Sequence, residues 1–90
     1  MNTQERVRQF ILEYFYVSDP ADLTDEISLI DSGFVDSTGM MGMIVFLETE
    51  YGIHIEDHET IPENLESISR IADFVGHKLQ MAASHRRGAD

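Results

Sequence analysis

From Asn2 onward, Val7, Phe10, Ile11, Tyr14 and Phe15 recur at three- and four-residue spacing, with Glu5, Arg6, Gln9 and Glu13 mostly on the opposite side. That is the period of an amphipathic helix. Asn2 followed three residues later by Glu5 has the form of a reciprocal cap at its start. Pro20, within the cluster Ser18-Asp19-Pro20-Ala21-Asp22, ends the pattern. Val17 to Asp36 then runs for 20 residues without helical periodicity. Loops of that length in compact domains are functional or are pinned by their own side chains. Ile27, Leu29, Ile30 and Phe34 are the expected pins, and Gly33 is expected to turn the chain with a positive φ.

A second helix is predicted over Ser37–Tyr51, where Met40, Met41, Met43, Ile44, Val45, Phe46 and Leu47 crowd together and Gly52 supplies the terminating glycine. A helix apolar around so much of its girth is either surrounded by other elements or shows part of that surface to a partner. Ile53 and Ile55 flank His54 in an extended link, and a short segment, Ile61–Leu65, contains Pro62. The last helix starts at about Ile68 with Ser67 as its N-cap and carries the stripe Ile68, Ile71, Ala72, Phe74, Val75 and Leu79. The expected fold is all-α: three main helices, one short one and a long first loop. Residues 1–80 form the domain, and 81–90 are a small, polar, weakly basic tail expected to be disordered.

Ninety residues suffice for one domain and not two. So small a domain has little room for an enclosed active site. Charge narrows the choice further. Asp and Glu outnumber Lys and Arg 17 to 6, the net charge is −11, and no Lys or Arg occurs between Arg8 and Arg70. A nucleic-acid partner requires a basic face, which is missing; the field instead favours proteins with basic surfaces. No cysteine is present, so any thiol chemistry must be imported. Met1 to Arg8 lacks the apolar run of a signal peptide, and nothing approaches a membrane span of roughly 20 apolar residues. A cytoplasmic monomer is the expectation.

Asp36-Ser37 falls where the long loop enters the second helix. Unpaired amides and the positive end of the helix dipole would stabilise a phosphate esterified to Ser37. A simple helix cap by Asp36 or Ser37 explains the same pair. The wider context points to the first explanation. Leu29-Ile30-Asp31-Ser32-Gly33-Phe34-Val35-Asp36-Ser37 resembles the loop and attachment motif of acyl carrier proteins. Leu47-Glu48-Thr49-Glu50-Tyr51-Gly52-Ile53-His54-Ile55 resembles the end of that family's second helix, and Asn64-Leu65-Glu66-Ser67-Ile68 with Ile71, Phe74 and Val75 resembles its last helix. The resemblance covers roughly residues 4–80.

It implies a four-helix acyl-carrier-like bundle that is not an enzyme. Ser37 would accept 4'-phosphopantetheine from coenzyme A through a separate phosphopantetheinyl transferase using Mg2+, with Asp36 as a residue that transferase reads. An acyl or aminoacyl group would ride on the arm as a thioester, supplied by a loading ligase and passed to downstream transferases. Thr38, Met40, Met41 and Glu48 are the implied partner contacts.

Thr38 stands where the family usually has Leu or Met, and Gly42 takes a position that is commonly acidic. Gly39 resembles D-alanyl carrier proteins and related carriers loaded by adenylating ligases. A dedicated carrier with its own ligase is therefore expected, with fatty or aminoacyl cargo. Met40, Met41 and Met43 admit two readings, core filler or a pliable contact surface. Gly39 and Gly42, each costing about 1 kcal/mol in a helix, are explained by close approach of an arm or partner or by a tight internal contact. His54 and His58 lie near Glu56, Asp57 and Glu59 on a non-helical segment that gives them no common face, and no metal is expected there. The rival to the carrier is an unmodified acidic adaptor, or a degenerate carrier, that binds through the apolar second helix.

Overall fold

The computed structural model describes the backbone of residues 1–89 and the side chains of residues 1–83. Four α-helices follow in order: α1 (Thr3–Tyr14), α2 (Ser37–Tyr51), α3 (Pro62–Leu65) and α4 (Ile68–Ala89). Short 3₁₀ turns occupy Pro20–Asp22 and Asp57–Glu59. The described residues contain no strand, and the Ile53–Ile55 link buries both isoleucines while exposing His54.

Local chemistry sets the helix ends. Asn2 accepts from the Glu5 amide at 2.8 Å, and the Glu5 carboxylate reaches back to the Asn2 amide at 3.4 Å, which satisfies two orphan donors of α1. Asp36 caps α2, Gly52 closes it in the left-handed region at φ 63°, and its amide donates to the Glu48 carbonyl. Ser67 Oγ accepts from the Arg70 amide at 3.2 Å, the expected cap of α4. The tail expected over 81–90 coincides with helical backbone up to Ala89, and Asp90 lies outside the described residues.

α1, α2 and α3 all pack on α4. Val7 and Ile11 of α1, Met43 and Leu47 of α2, Leu65 of α3 and Ile68, Ile71, Phe74 and Val75 of α4 make the core, together with Ile53 and Ile55. Each fully buried side chain of this kind contributes about 1.5–3 kcal/mol. α1 and α2 also meet through the stacked rings of Phe10 and Phe46, whose centroids are 4.2 Å apart. Tyr14 and Leu79, expected on the buried stripes, are exposed: Tyr14 is the last residue of α1, and Leu79 lies one turn beyond Val75, the last core residue of α4.

The long loop is pinned to the helices by burial and hydrogen bonds. Leu23, Leu29 and Val35 are at most 1% exposed. The Leu29 amide donates to the Glu66 carbonyl at 2.8 Å, the Val35 amide to the Leu29 carbonyl, and the Ser69 amide to the Asp25 carbonyl. Arg8 adds hydrogen bonds from α1 to the Leu23 carbonyl and the Asp25 carboxylate. The expected pins need correcting: Leu29 is buried, Ile27 and Phe34 are half-buried, and Ile30 is exposed. Successive residues in a tight turn cannot both face inward, and Leu29 takes the inward position. Gly33 has φ 83°, as its turn requires.

Candidate functional site

The fixed loop delivers Asp36 and Ser37 to the N-terminal end of α2. Asp36 Oδ1 accepts from the Gly39 amide at 2.6 Å, and Met40 donates to the Asp36 carbonyl at 2.8 Å. The side chain of Asp36 is therefore engaged as a cap, while Ser37 is exposed as the first helical residue. By their place in the first turn, the amides of Ser37 and Thr38 have no acceptor within the helix. A phosphate ester on Ser37 fits this setting: the hydroxyl is open, two donors are free and the helix dipole favours negative charge.

Beside Ser37 lies a cleft of about 410 Å³, bounded by the loop, α2 and α3. Ile30, Met40, Met41, Ile44, Ile61 and Leu65 give it apolar walls, with Asp31 and Glu66 at its polar margin. The exposure of Ile30 thus has a counterpart in space. A larger cleft of about 570 Å³ lies away from Ser37, between charged residues that include Glu26, Glu63, Arg70 and Asp73. It contains no member of the Asp-Ser motif, and Phe74 is the one apolar side chain in its lining.

The two glycines of α2 separate. A β-carbon on Gly39 would overlap the ring of Phe15 and lie 3.1 Å from Asp36 Oδ1, whereas at Gly42 it would meet nothing within 4 Å. Gly39 is required by an internal contact. The methionines divide as well: Met43 is in the core, Met40 is half-buried on the cleft, and Met41 is exposed. Thr38 is exposed next to Ser37. Glu48, a fourth implied contact, accepts from the Ile55 amide at 2.9 Å and lies 3.4 Å from His54 Nδ1, so its carboxylate ties α2 to the link that follows.

His54 Nε2 is 3.2 Å from Glu56. Among the described residues, no three His, Cys, Asp or Glu side chains converge as metal ligands. No helix among them is long and apolar enough to cross a membrane. Three cations are committed elsewhere: Arg6 pairs with Glu50, Arg8 with Asp25 and Lys78 with Glu59. Hydrogen bonding to Arg6 holds Glu50 below the usual carboxylate range. The Glu56 amide and then Lys78 do the same for Glu59.

Missing from the reading of the sequence were the cleft residues Ile30, Ile61 and Leu65 as a group and the Phe15–Gly39 contact. Apolar residues at Ile30 and Ile61, in loop positions where solvent exposure is the rule, were the available signal.

The geometry has parallels among known proteins. The chain is 31% identical over 72 residues to the acyl carrier protein of Thermotoga maritima, across 80% of this chain and 82% of that one. It is 29% identical over 75 residues to the acyl carrier protein of Thermosynechococcus vestitus, across 83% and 89% of the two chains. A chain in a crystal structure described as that of an FAD-dependent dehydrogenase superposes with a TM-score of 0.62 at 26% identity, across 81% of this chain and 97% of that one. No family model matches the sequence.

Proposed function

The chain belongs to the acyl carrier protein family, and we propose that Ser37 is the residue on which it bears its cargo. As a member it is a carrier of phosphopantetheine-bound acyl groups and not an enzyme. The observation that carries the assignment to Ser37 is its position: an open hydroxyl on the first turn of α2, at the rim of an apolar cleft.

In the modification step Ser37 Oγ attacks the phosphorus of coenzyme A that bears the pantetheine. A phosphodiester forms, the pyrophosphate P–O bond breaks, and adenosine 3',5'-bisphosphate leaves. The hydroxyl proton passes to a base on the transferase. Once attached, the arm supplies a thiol that this chain lacks, and a thioester there is activated toward acyl transfer. The protein's own residues hold the attachment point. Asp36 fixes the first turn, Gly39 lets that turn lie against Phe15, and the amides of Ser37 and Thr38 would be the donors open to a phosphodiester. The flexible arm raises the effective concentration of cargo at each enzyme it visits.

The carrier is a dedicated one, loaded by its own adenylating ligase and working in the cytoplasm. Thr38 and the uncharged Gly42 support this, since both depart from the pattern that general fatty-acid enzymes recognise. Gly39 no longer does, because Phe15 accounts for it. The walls of the cleft favour an apolar acyl group over a polar aminoacyl group. The test is intact mass after incubation with coenzyme A, Mg2+ and a broad-specificity phosphopantetheinyl transferase. The parent should gain one phosphopantetheine group and Ser37→Ala none. An unchanged parent mass, with a control carrier modified, overturns the assignment in favour of an unmodified adaptor.

A second, narrower possibility follows from the superposed chain: the cargo is oxidised while on the arm, losing two hydrogens to a flavin. Mixing the loaded carrier with that dehydrogenase would then bleach the flavin absorbance. Ser37→Ala would leave it unchanged.

A further inference from the structure

We propose that Phe15, at the end of α1, is a positioning residue for the esterification of Ser37, acting through Gly39 and the Asp36 cap rather than by touching the transferase. The proposal rests on the carrier reading of Ser37, because it concerns the turn that presents that hydroxyl.

The half-buried ring of Phe15 belongs to two sets of contacts. On one side it meets Phe10 edge-on, with centroids 5.9 Å apart, and Phe10 is itself stacked on Phe46 of α2. On the other it lies over the backbone of Gly39, where a β-carbon would overlap ring atom Cε1 and come within 3.2 Å of Cζ. Phe10 and Phe15 together hold α2 at two places, its middle and its first turn. The same β-carbon would lie 3.1 Å from Asp36 Oδ1, so the ring borders the 2.6 Å bond by which that oxygen accepts from the Gly39 amide. Asp36 is exposed, and water competes for its carboxylate. An aromatic edge against the bond excludes water from that side and strengthens it. The backbone of Phe15 is fixed as well, because its amide closes α1 by donating to the Ile11 carbonyl at 2.9 Å.

Successive residues of an α-helix are about 100° apart around its axis, so Gly39 and Ser37 lie on nearly opposite sides of the turn. Phe15 therefore supports the turn from the side away from the Ser37 hydroxyl, which stays exposed. A transferase seated over that hydroxyl has no need of the ring. What the ring governs is how closely Ser37 and Thr38, held between Asp36 and Gly39, keep one arrangement. In the esterification the bond from Ser37 Oγ to phosphorus forms as the pyrophosphate P–O bond of coenzyme A breaks, adenosine 3',5'-bisphosphate leaves and the hydroxyl proton passes to a base on the transferase. The amides of Ser37 and Thr38 are the donors open to that phosphate. A turn that frays moves the nucleophile and these donors together. Misplacement by about 1 Å can cost about 100-fold in rate, so a looser turn slows the chemical step without weakening docking.

The experiment follows the full chain by intact mass in single turnover, with a broad-specificity phosphopantetheinyl transferase in excess at saturating coenzyme A and Mg2+. It is run at a temperature where circular dichroism shows every variant folded. Phe15→Leu and Phe15→Met remove the ring and keep an apolar side chain. Each should lower the limiting rate about fivefold or more and leave the half-saturating transferase concentration within about twofold. Amide exchange at Gly39, read by NMR, should quicken about fivefold in the same variants. Val7→Ala, which opens a cavity in the core elsewhere on α1, should leave both the limiting rate and the Gly39 exchange within about twofold. Phe15 variants with the parent's limiting rate or its Gly39 exchange, a loss confined to half-saturation, or an equal loss in Val7→Ala overturns the positioning role while leaving Ser37 as the attachment point. A parent that gains no mass at all overturns the carrier reading and this role with it.

Discussion

The ring of Phe15 rests directly on the backbone of Gly39, two residues beyond Ser37. The end of α1 is thereby seated on the first turn of α2, and a side chain at position 39 has no space. Gly39→Ala should lower stability even though alanine is the better helix former by about 1 kcal/mol. Overpacking against an aromatic ring costs about 1–3 kcal/mol, so after the gain in propensity a net loss of up to about 2 kcal/mol is expected in a urea titration. Phe15→Leu in the same background should recover part of it. A Gly39→Ala protein more stable than the parent by the full gain of about 1 kcal/mol in helix propensity would refute the contact.

Gly42 predicts the opposite. Nothing lies within 4 Å of a β-carbon there, so Gly42→Ala should gain up to about 1 kcal/mol from helix propensity. For a domain of this size that is a rise in Tm of about 4–8 °C. The same substitution at two helical glycines three residues apart thus changes sign.

Asp36 has a mechanical role and a proposed recognition role, and two variants separate them. Asp36→Ala removes the cap and should cost about 1 kcal/mol. Asp36→Asn retains an acceptor for the Gly39 amide and should keep most of the stability. If the transferase reads the carboxylate itself, both variants should be modified at least about tenfold more slowly than the parent. Normal modification of Asp36→Asn would confine the residue to capping.

Glu59 accepts from its partner Lys78 through both oxygens, at 2.9 and 3.2 Å, and from the Glu56 amide. These bonds hold its pKa below the ordinary value of 4.5. A carboxylate depressed by folding stabilises the protein above its unfolded pKa and ceases to do so as pH falls through the folded one. Glu59→Gln should therefore lower Tm near pH 7, by an amount corresponding to about 1–2 kcal/mol. The difference from the parent should shrink progressively below about pH 4.5. Thermal melts of both proteins between pH 7 and 3 test this; a constant difference would contradict it.

The three long helices were legible because Val7 and Ile11, Met43 and Leu47, and Ile71 and Val75 repeat at helical spacing and do form the core. Their ends were legible because Asn2, Asp36, Ser67 and Gly52 are chemically suited to caps. The loop was not, since burial there follows from hydrogen bonds to Glu66 and Ser69, which no periodicity reports. Leu23 and Val35 were consequently overlooked and Ile30 misplaced. Ser37 stood out through the order and spacing of a motif, but its cleft needs the loop, α2 and α3 brought together. Phe15 explains Gly39 only after the fold has closed a gap of 24 residues along the chain.

Thr38, Met41, Gly42 and Val45 form an exposed, uncharged strip along α2, and it bears on the behaviour of many copies together. Exposed methionine and valine on one helix face would ordinarily invite self-association. Here every copy has a net charge of −11, and two copies that approach strip to strip bring their acidic flanks together. Mutual repulsion then opposes pairing. The apolar strip stays uncovered even when the protein is abundant, and the excess of carboxylates elsewhere serves as a colloidal guard for a helix face that lacks them.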